Sequence, residues 1–326
     1  MERTKRLGAL FAAALVLAAA AFLFSLSVGR YPITWAGLWG DPYTAHVFFT
    51  LRLPRTCMAL SAGFALGVAG SVYQCVFQNP LASPDIIGVA SGASAGAAAA
   101  VLLLGGGVAL TALWAFAGGF LAVLTALTLS ALASRRNIAN LVLSGIVVNA
   151  LAQSVLMLMK LAADPEKELA SIEFWTMGSF ADITLSKLLG ALPWILLGLT
   201  GLFALRRQIV LLGLEEDDAR MLGVPVKYMR PAILMLATLV TGAVISVTGL
   251  IAFIGLLAPH IARLLTRSSR FSTTVLAGLC GGILLLLSDV LARSIGDSEV
   301  PISIITSLLG APFLFWLMCR KEEPHG

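Results

Sequence analysis

Ten apolar runs, most of them about 20 residues long, recur along this chain, and they constrain its fold more than any other feature. They fall at roughly 8–28, 52–77, 88–105, 109–132, 138–161, 187–205, 229–249, 250–266, 273–294 and 302–319. A bilayer core is about 30 Å thick, which a helix crosses in about 20 residues. In hydrocarbon a backbone must satisfy its own hydrogen bonds, so each run reads as a helix. The low charge agrees: only 12% of the 326 residues are charged and 59% are hydrophobic. A soluble domain carries about 25% charged residues, which its wet surface requires. The expectation is an all-α, polytopic transmembrane bundle of about ten spans, forming one domain over residues 1–326. The seventh and eighth runs are nearly continuous, and Gly249, Gly255 and Pro259 mark broken or short helices there. The first run, Leu7 to Val28, exceeds the 7–15 residues or so of a secretory leader's apolar core and reads as a retained span.

Lys and Arg set the orientation, because they accumulate on cytoplasmic loops. With both ends cytoplasmic, 15 of the 22 basic residues lie inside and seven outside, the latter including Arg30, Arg52, Arg55 and Arg293. The net charge of +5 is too small to suggest nucleic acid. Cys57, Cys75, Cys280 and Cys319 form no C-x-x-C pair, and His46, His260 and His325 have no metal-ligand spacing. There is no G-x-S-x-G, no H-E-x-x-H and no phosphate-binding G-x-x-x-x-G-K-[ST] loop. The chain is therefore read as a membrane protein that is not an enzyme and holds no cofactor of its own. If ATP drives it, another chain hydrolyses the ATP.

Small residues recur four apart at Gly63/Gly67, Gly88/Gly92/Gly96 and Gly278/Gly282, which predicts close helix packing. Pro and Gly interrupt two regions, around Asn79–Asp85 and around Gly255–His260. The two run in opposite directions, as in the inverted repeats of transporters. Polar residues within the spans are few. Asn149 and Gln153 share one helix stripe and serve either helix-to-helix hydrogen bonding or a water-filled path. Asp289 and Arg293, four apart, read as an ion pair on one helix face. Arg52 and Arg55 flank Leu53-Pro54 at a helix start, where snorkelling is the simplest role. Glu299 ties its loop to a backbone group or an arginine. The loop at about 207–228 carries Glu215 to Asp218 at the start of a short helix, with Ala219 and Leu222 on one face and Gly223 to end it. That helix suits either docking to a partner or lying on the membrane.

Several of these stretches resemble permeases of the FecCD type, which import ferric siderophores, haem and vitamin B12. The matching segments are Leu51–Arg55, Ala69–Gln74, Asn79–Ala82 with Pro84 and Ile87–Val89, Gly249–Arg263, Ser288–Arg293 and Glu299–Ile302, continuing to Thr306 and Leu309–Phe313. Asp218-Ala219 with Leu222-Gly223 also follows the family pattern, while Ser303 stands where members usually have Gly. The resemblance implies a type II ABC importer permease fold in the bacterial inner membrane. It implies a homodimer with two ATP-binding cassette ATPase subunits, which carry ATP and Mg, and an external substrate-binding protein. It assigns Asp218, Ala219, Leu222 and Gly223 to ATPase coupling, and Arg52, Arg55 and Arg293 to an outer basic patch that docks the binding protein. Asn149 and Gln153 would line a path at the dimer interface, and Asn137 and Asn140 would lie near its cytoplasmic gate. The competing reading is an ion-coupled secondary transporter using Asp289. The arginine four residues on argues against a free proton carrier.

Overall fold

The computed structural model describes residues 2–29, 31–34, 36–133, 137–268, 270–295 and 298–319. Arg30, Arg135, Arg136, Arg320, Lys321 and His325 lie outside them. The described residues form α1 (Glu2–Ser27), α2 (Gly37–Gly40), α3 (Pro42–His46), α4 (Leu53–Val76), α5 (Val89–Leu104), α6 (Val108–Leu132), α7 (Ile138–Ala162) and α8 (Glu168–Met177). They continue as α9 (Leu185–Ala204), α10 (Arg206–Leu212), α11 (Glu216–Met221), α12 (Val226–Thr248), α13 (Ile254–Thr266), α14 (Phe271–Ser294) and α15 (Ile302–Cys319). Seven helical stretches are long and apolar enough to cross a bilayer, and α5, α13 and α15 are shorter apolar helices. Together they reproduce the ten runs, most to within three residues at either end.

The second span departs most from expectation. It starts at Pro42 rather than near 52, because α3 runs into α4 through a π-helical turn at Val47–Arg52. Pro54 cannot donate to the preceding turn, and a widened turn accommodates its ring. Asp41 caps the start, accepting from the N–H groups of Tyr43 and Thr44 at 3.1 Å each.

The bundle has two layers. α4, α12 and α14 are the inner helices, with 61–78% of the apolar 18-residue stretch of each span buried. α1, α6, α7 and α9 are outer helices at 17–33%. Small residues set the inner spacing. A Cβ at Gly63 or Gly67 would overlap the carbonyl oxygens of Gly281 and Ala277 on α14. Gly92 and Gly96 bring α5 equally close to Gly118 and Trp114 of α6. In lipid, such backbone approach replaces the hydrophobic drive that packs soluble helices.

α12 and α13 are separated by Gly249–Phe253. Gly249 takes φ +70°, which favours glycine, and Phe253 takes φ +66°, which a non-glycine residue rarely does. The break therefore falls at Gly249, as one of its sequence markers suggests, whereas Gly255, Pro259 and His260, expected to interrupt a helix, lie within continuous α13.

Candidate functional site

A cavity of about 380 Å³ opens between the two interrupted regions. Ser83, Pro84 and Asp85 border it on one side and residues 250–253 on the other, with Ser91 of α5, Asn149 and Gln153 of α7 and Thr241 of α12 completing the polar side chains of the lining. Asn149 and Gln153 thus line one cavity together, formed by helices of this chain itself rather than at an interface between two copies. Asp85 is its one charged lining residue, and its carboxylate accepts only a 3.4 Å contact from Ser83 Oγ among the bonds seen here. No Lys, Arg or His lies among the described lining residues. The cavity can hold an apolar body and hydrogen-bond its polar edge. Asn137 has a local duty as well: its Oδ1 accepts from the N–H of Asn140 at 2.9 Å and caps α7.

At one end of the bundle, where α1 ends and α4 begins, four spatially joined ionic side chains form a network. Arg55 Nη2 donates to Asp289 Oδ1 at 2.8 Å and its Nε to the same oxygen at 3.0 Å. Arg55 Nη1 donates to Glu299 Oε1 at 2.8 Å. Arg293 Nη2 donates to the carbonyl and hydroxyl of Ser25 on α1, both at 2.7 Å, and its Nε stands 3.5 Å from Asp289 Oδ2. Nearby, Arg52 donates to the carbonyls of Leu26 and Tyr31 at 3.2 and 2.7 Å.

This arrangement corrects two expectations. Arg52, Arg55 and Arg293 do not form an outward-facing patch, being only 6–9% exposed. The C-terminal end of α1 and the Glu299 segment supply acceptors that draw the guanidinium groups inward. Asp289 does pair with Arg293, but its nearer partner is Arg55, 234 residues away in sequence. Glu299 finds its arginine in Arg55.

The 207–228 loop folds as α10 and α11 with a glycine stop, Gly223 at φ +84°. Glu216 pairs with Arg230 at 3.0 Å and with Arg220, and Gln78 Nε2 donates to the carbonyls of Leu212 and Leu214. Ala219 is fully buried in the main core, whereas Met221 and Leu222 are 80% and 51% exposed and Asp218 also faces outward. Ala219 and Leu222 therefore do not share an outward face. The helix ends at Met221, and Leu222 has already left helical geometry with ψ near 8°, so the three-residue spacing no longer applies.

Several polar contacts were not anticipated. Gln74 bridges α4 to α13, accepting from Arg263 and donating to Leu256 O at 3.4 Å. Ser303 Oγ donates to Leu250 O at 2.6 Å inside the α12–α13 interruption. The signal for Gln74 and Arg263 was only their position in two matched segments. For Ser303 it was the departure from glycine.

Comparison with known proteins gives a consistent picture. The model of the FecCD transport family matches residues 15–320. The molybdate import system permease protein of Haemophilus influenzae is 36% identical, over 97% of this chain and 96% of that one. The hemin transport system permease protein of Yersinia pestis is 34% identical, over 95% of both. The ferric enterobactin transport system permease protein of Escherichia coli is 36% identical, over 89% of this chain and 88% of its own length. A solved inward-facing structure assigned to the metal-chelate type of ABC transporter superposes with a TM-score of 0.88 at 34% identity, covering 96% of this chain and 99% of that one. With its all-helical membrane bundle and a family match spanning nearly its whole length, the chain belongs to the FecCD transport family.

Proposed function

We propose that this ABC importer permease carries a bulky metal chelate, of the ferric siderophore, haem or corrinoid type, across the bacterial inner membrane by alternating access. Two copies pair, and two separate ATPase subunits bind and hydrolyse ATP with Mg. An external binding protein delivers the cargo. Both termini are cytoplasmic, as the charge split suggests. Asp218, Met221, Leu222 and Gly223 face the ATPase, while Ala219 supports them from within. Asn149 and Gln153 contact the moving cargo, and Asn137 and Asn140 stand near the cytoplasmic gate. The bundle end that holds Arg52, Arg55 and Arg293 receives the binding protein, with Glu299 as its most exposed ionic member at 29%.

The observation that carries this reading is the cavity between two broken helices, an apolar wall set with amides, hydroxyls and a single carboxylate, Asp85. Such a wall suits a large ligand with a mixed surface. A bare oxyanion is the second reading, because one relative is named for molybdate import. No Lys, Arg or His among the described lining residues is placed to pair with a bare oxyanion, which leaves the chelate the first reading.

The test is reconstitution of the permease with its ATPase and binding protein in proteoliposomes. Elemental analysis by mass spectrometry then reads what the purified binding protein retains and what accumulates inside. Iron or cobalt taken up only with ATP is the expected result. Molybdenum uptake, or uptake driven by a sodium or proton gradient without ATP, would overturn it.

A further inference from the structure

The interruption at Gly249–Phe253 removes helical partners from backbone groups that border the cavity. One hydroxyl replaces some of them. Ser303 Oγ donates to Leu250 O at 2.6 Å and accepts from Ala252 N–H at 3.4 Å. Serine can do both, since its hydroxyl is donor and acceptor at once. Residues 250–253 are cavity wall, so Ser303, outside the cavity, holds that wall from behind. Seven residues on, along the same helix face, Gly310 leaves room for the ring of Phe253. A Cβ at Gly310 would lie 2.6–2.8 Å from that side chain. α15 thus grips the interruption at two points. The left-handed Phe253 is a conformation that lasts only where its surroundings impose it.

The same segment is tied at its other end. Glu299, four residues before Ser303, holds Arg55 of α4 at 2.8 Å. Ile302 N–H donates to Gly178 O at 3.0 Å, and Ser179 N–H to Thr248 O at 2.8 Å, so the α8–α9 connection closes the other flank of the interruption. A short stretch of chain therefore links the buried ion network to the cavity wall.

We propose that Ser303 is a positioning residue for transport. Its hydroxyl fixes the 250–253 wall and, through the Glu299–Ser303 segment, makes the wall follow the Arg55–Asp289–Glu299 network. This rests on the importer reading, and the experiment separates the two. Ser303→Ala, Ser303→Gly and Ser303→Thr are made in the full permease and assembled with the ATPase and binding protein. Cargo moved per ATP hydrolysed is measured beside ATP hydrolysis itself. Ala and Gly should retain hydrolysis but lose about tenfold in cargo per ATP, equivalent to ~1.4 kcal/mol. Thr should stay near the parent.

A second readout needs no cargo. Ile251→Cys, in a background without the four native cysteines, reports opening of the wall by its rate of maleimide labelling. That rate should rise with Ser303→Ala and not with Ser303→Thr. An unchanged labelling rate and unchanged cargo per ATP in the Ala variant overturn the proposal. So does equal loss in the Thr variant, or a fall in hydrolysis and transport at constant ratio. If the parent moves no cargo with ATP, the importer reading fails, while the labelling result still decides the role of Ser303.

Discussion

Replacing Asp289 with alanine removes the carboxylate that stands between Arg55 and Arg293. Asp289 is fully buried, and the side chains of its two partners are 11% and 7% exposed. Three close donor contacts from Arg55, at 2.8 to 3.3 Å, end on its two oxygens. Breaking a buried pair from one side costs about 3–5 kcal/mol, because the remaining charge keeps its desolvation penalty without its partner. Here the lower part of that range applies. Arg55 retains Glu299, which is 29% exposed and admits water, and Arg293 retains both groups of Ser25. The expected loss is about 3 kcal/mol. Asp289→Asn should lose less, because the amide oxygen still accepts. Arg55→Met with Asp289→Leu should cost less than the sum of the single changes, since together they leave less unpaired charge. The coupling between the two sites should be at least ~1 kcal/mol. Equilibrium unfolding of the purified permease in mixed micelles measures each term. The reasoning fails if Asp289→Ala lies within about 0.5 kcal/mol of the parent, the range of ordinary surface changes. It fails equally if the double variant is simply additive.

The remaining predictions concern the loop and the topology. Ala219→Arg should abolish folding or membrane yield, because Ala219 is fully buried in the chain's own core. Leu222→Arg should leave yield and size-exclusion behaviour intact while abolishing co-purification of the ATPase. A well-folded Ala219→Arg, or an ATPase that still binds the Leu222 variant, would refute the assignment of faces. Asp164→Cys, in an exposed turn after α7, should react with an impermeant maleimide added to intact spheroplasts. Reaction only after the membrane is disrupted would reverse the orientation.

Hydropathy carried the helices because each span obeys a local condition. A run such as Ile138–Ala162 must be apolar over its own length, whatever it packs against. The glycine spacing on α4 and α14 was legible for the same reason, since Gly63 and Gly67 share a stripe before any partner is known. The stripe could not say that the partner backbones are those of Gly281 and Ala277. The start of the second span was missed because Leu53-Pro54 reads as a helix beginning. A π turn lets the helix run through it, and a π turn leaves no residue pattern of its own.

The ionic residues show where local reasoning stops. Asp289 and Arg293 are four apart on one helix, so the sequence presents them as each other's partners. Pairing is a competition, however, and Arg55 brings Nε and Nη2 to the same carboxylate while Arg293 approaches with Nε alone. A fork-shaped donor seated from a neighbouring helix outcompetes one on the same helix, whose reach is limited by the shared backbone. The burial of Arg52, Arg55 and Arg293 follows from this competition. Each finds carbonyl, hydroxyl or carboxylate acceptors on α1, α14 or the Glu299 segment, and those acceptors would lack donors if the arginines turned outward. A binding protein that engages these arginines with its own carboxylates must therefore compete with Asp289 and Glu299. Glu299, the most exposed of the four ionic side chains, is the one whose release costs least, and it lies four residues from the hydroxyl that holds the cavity wall.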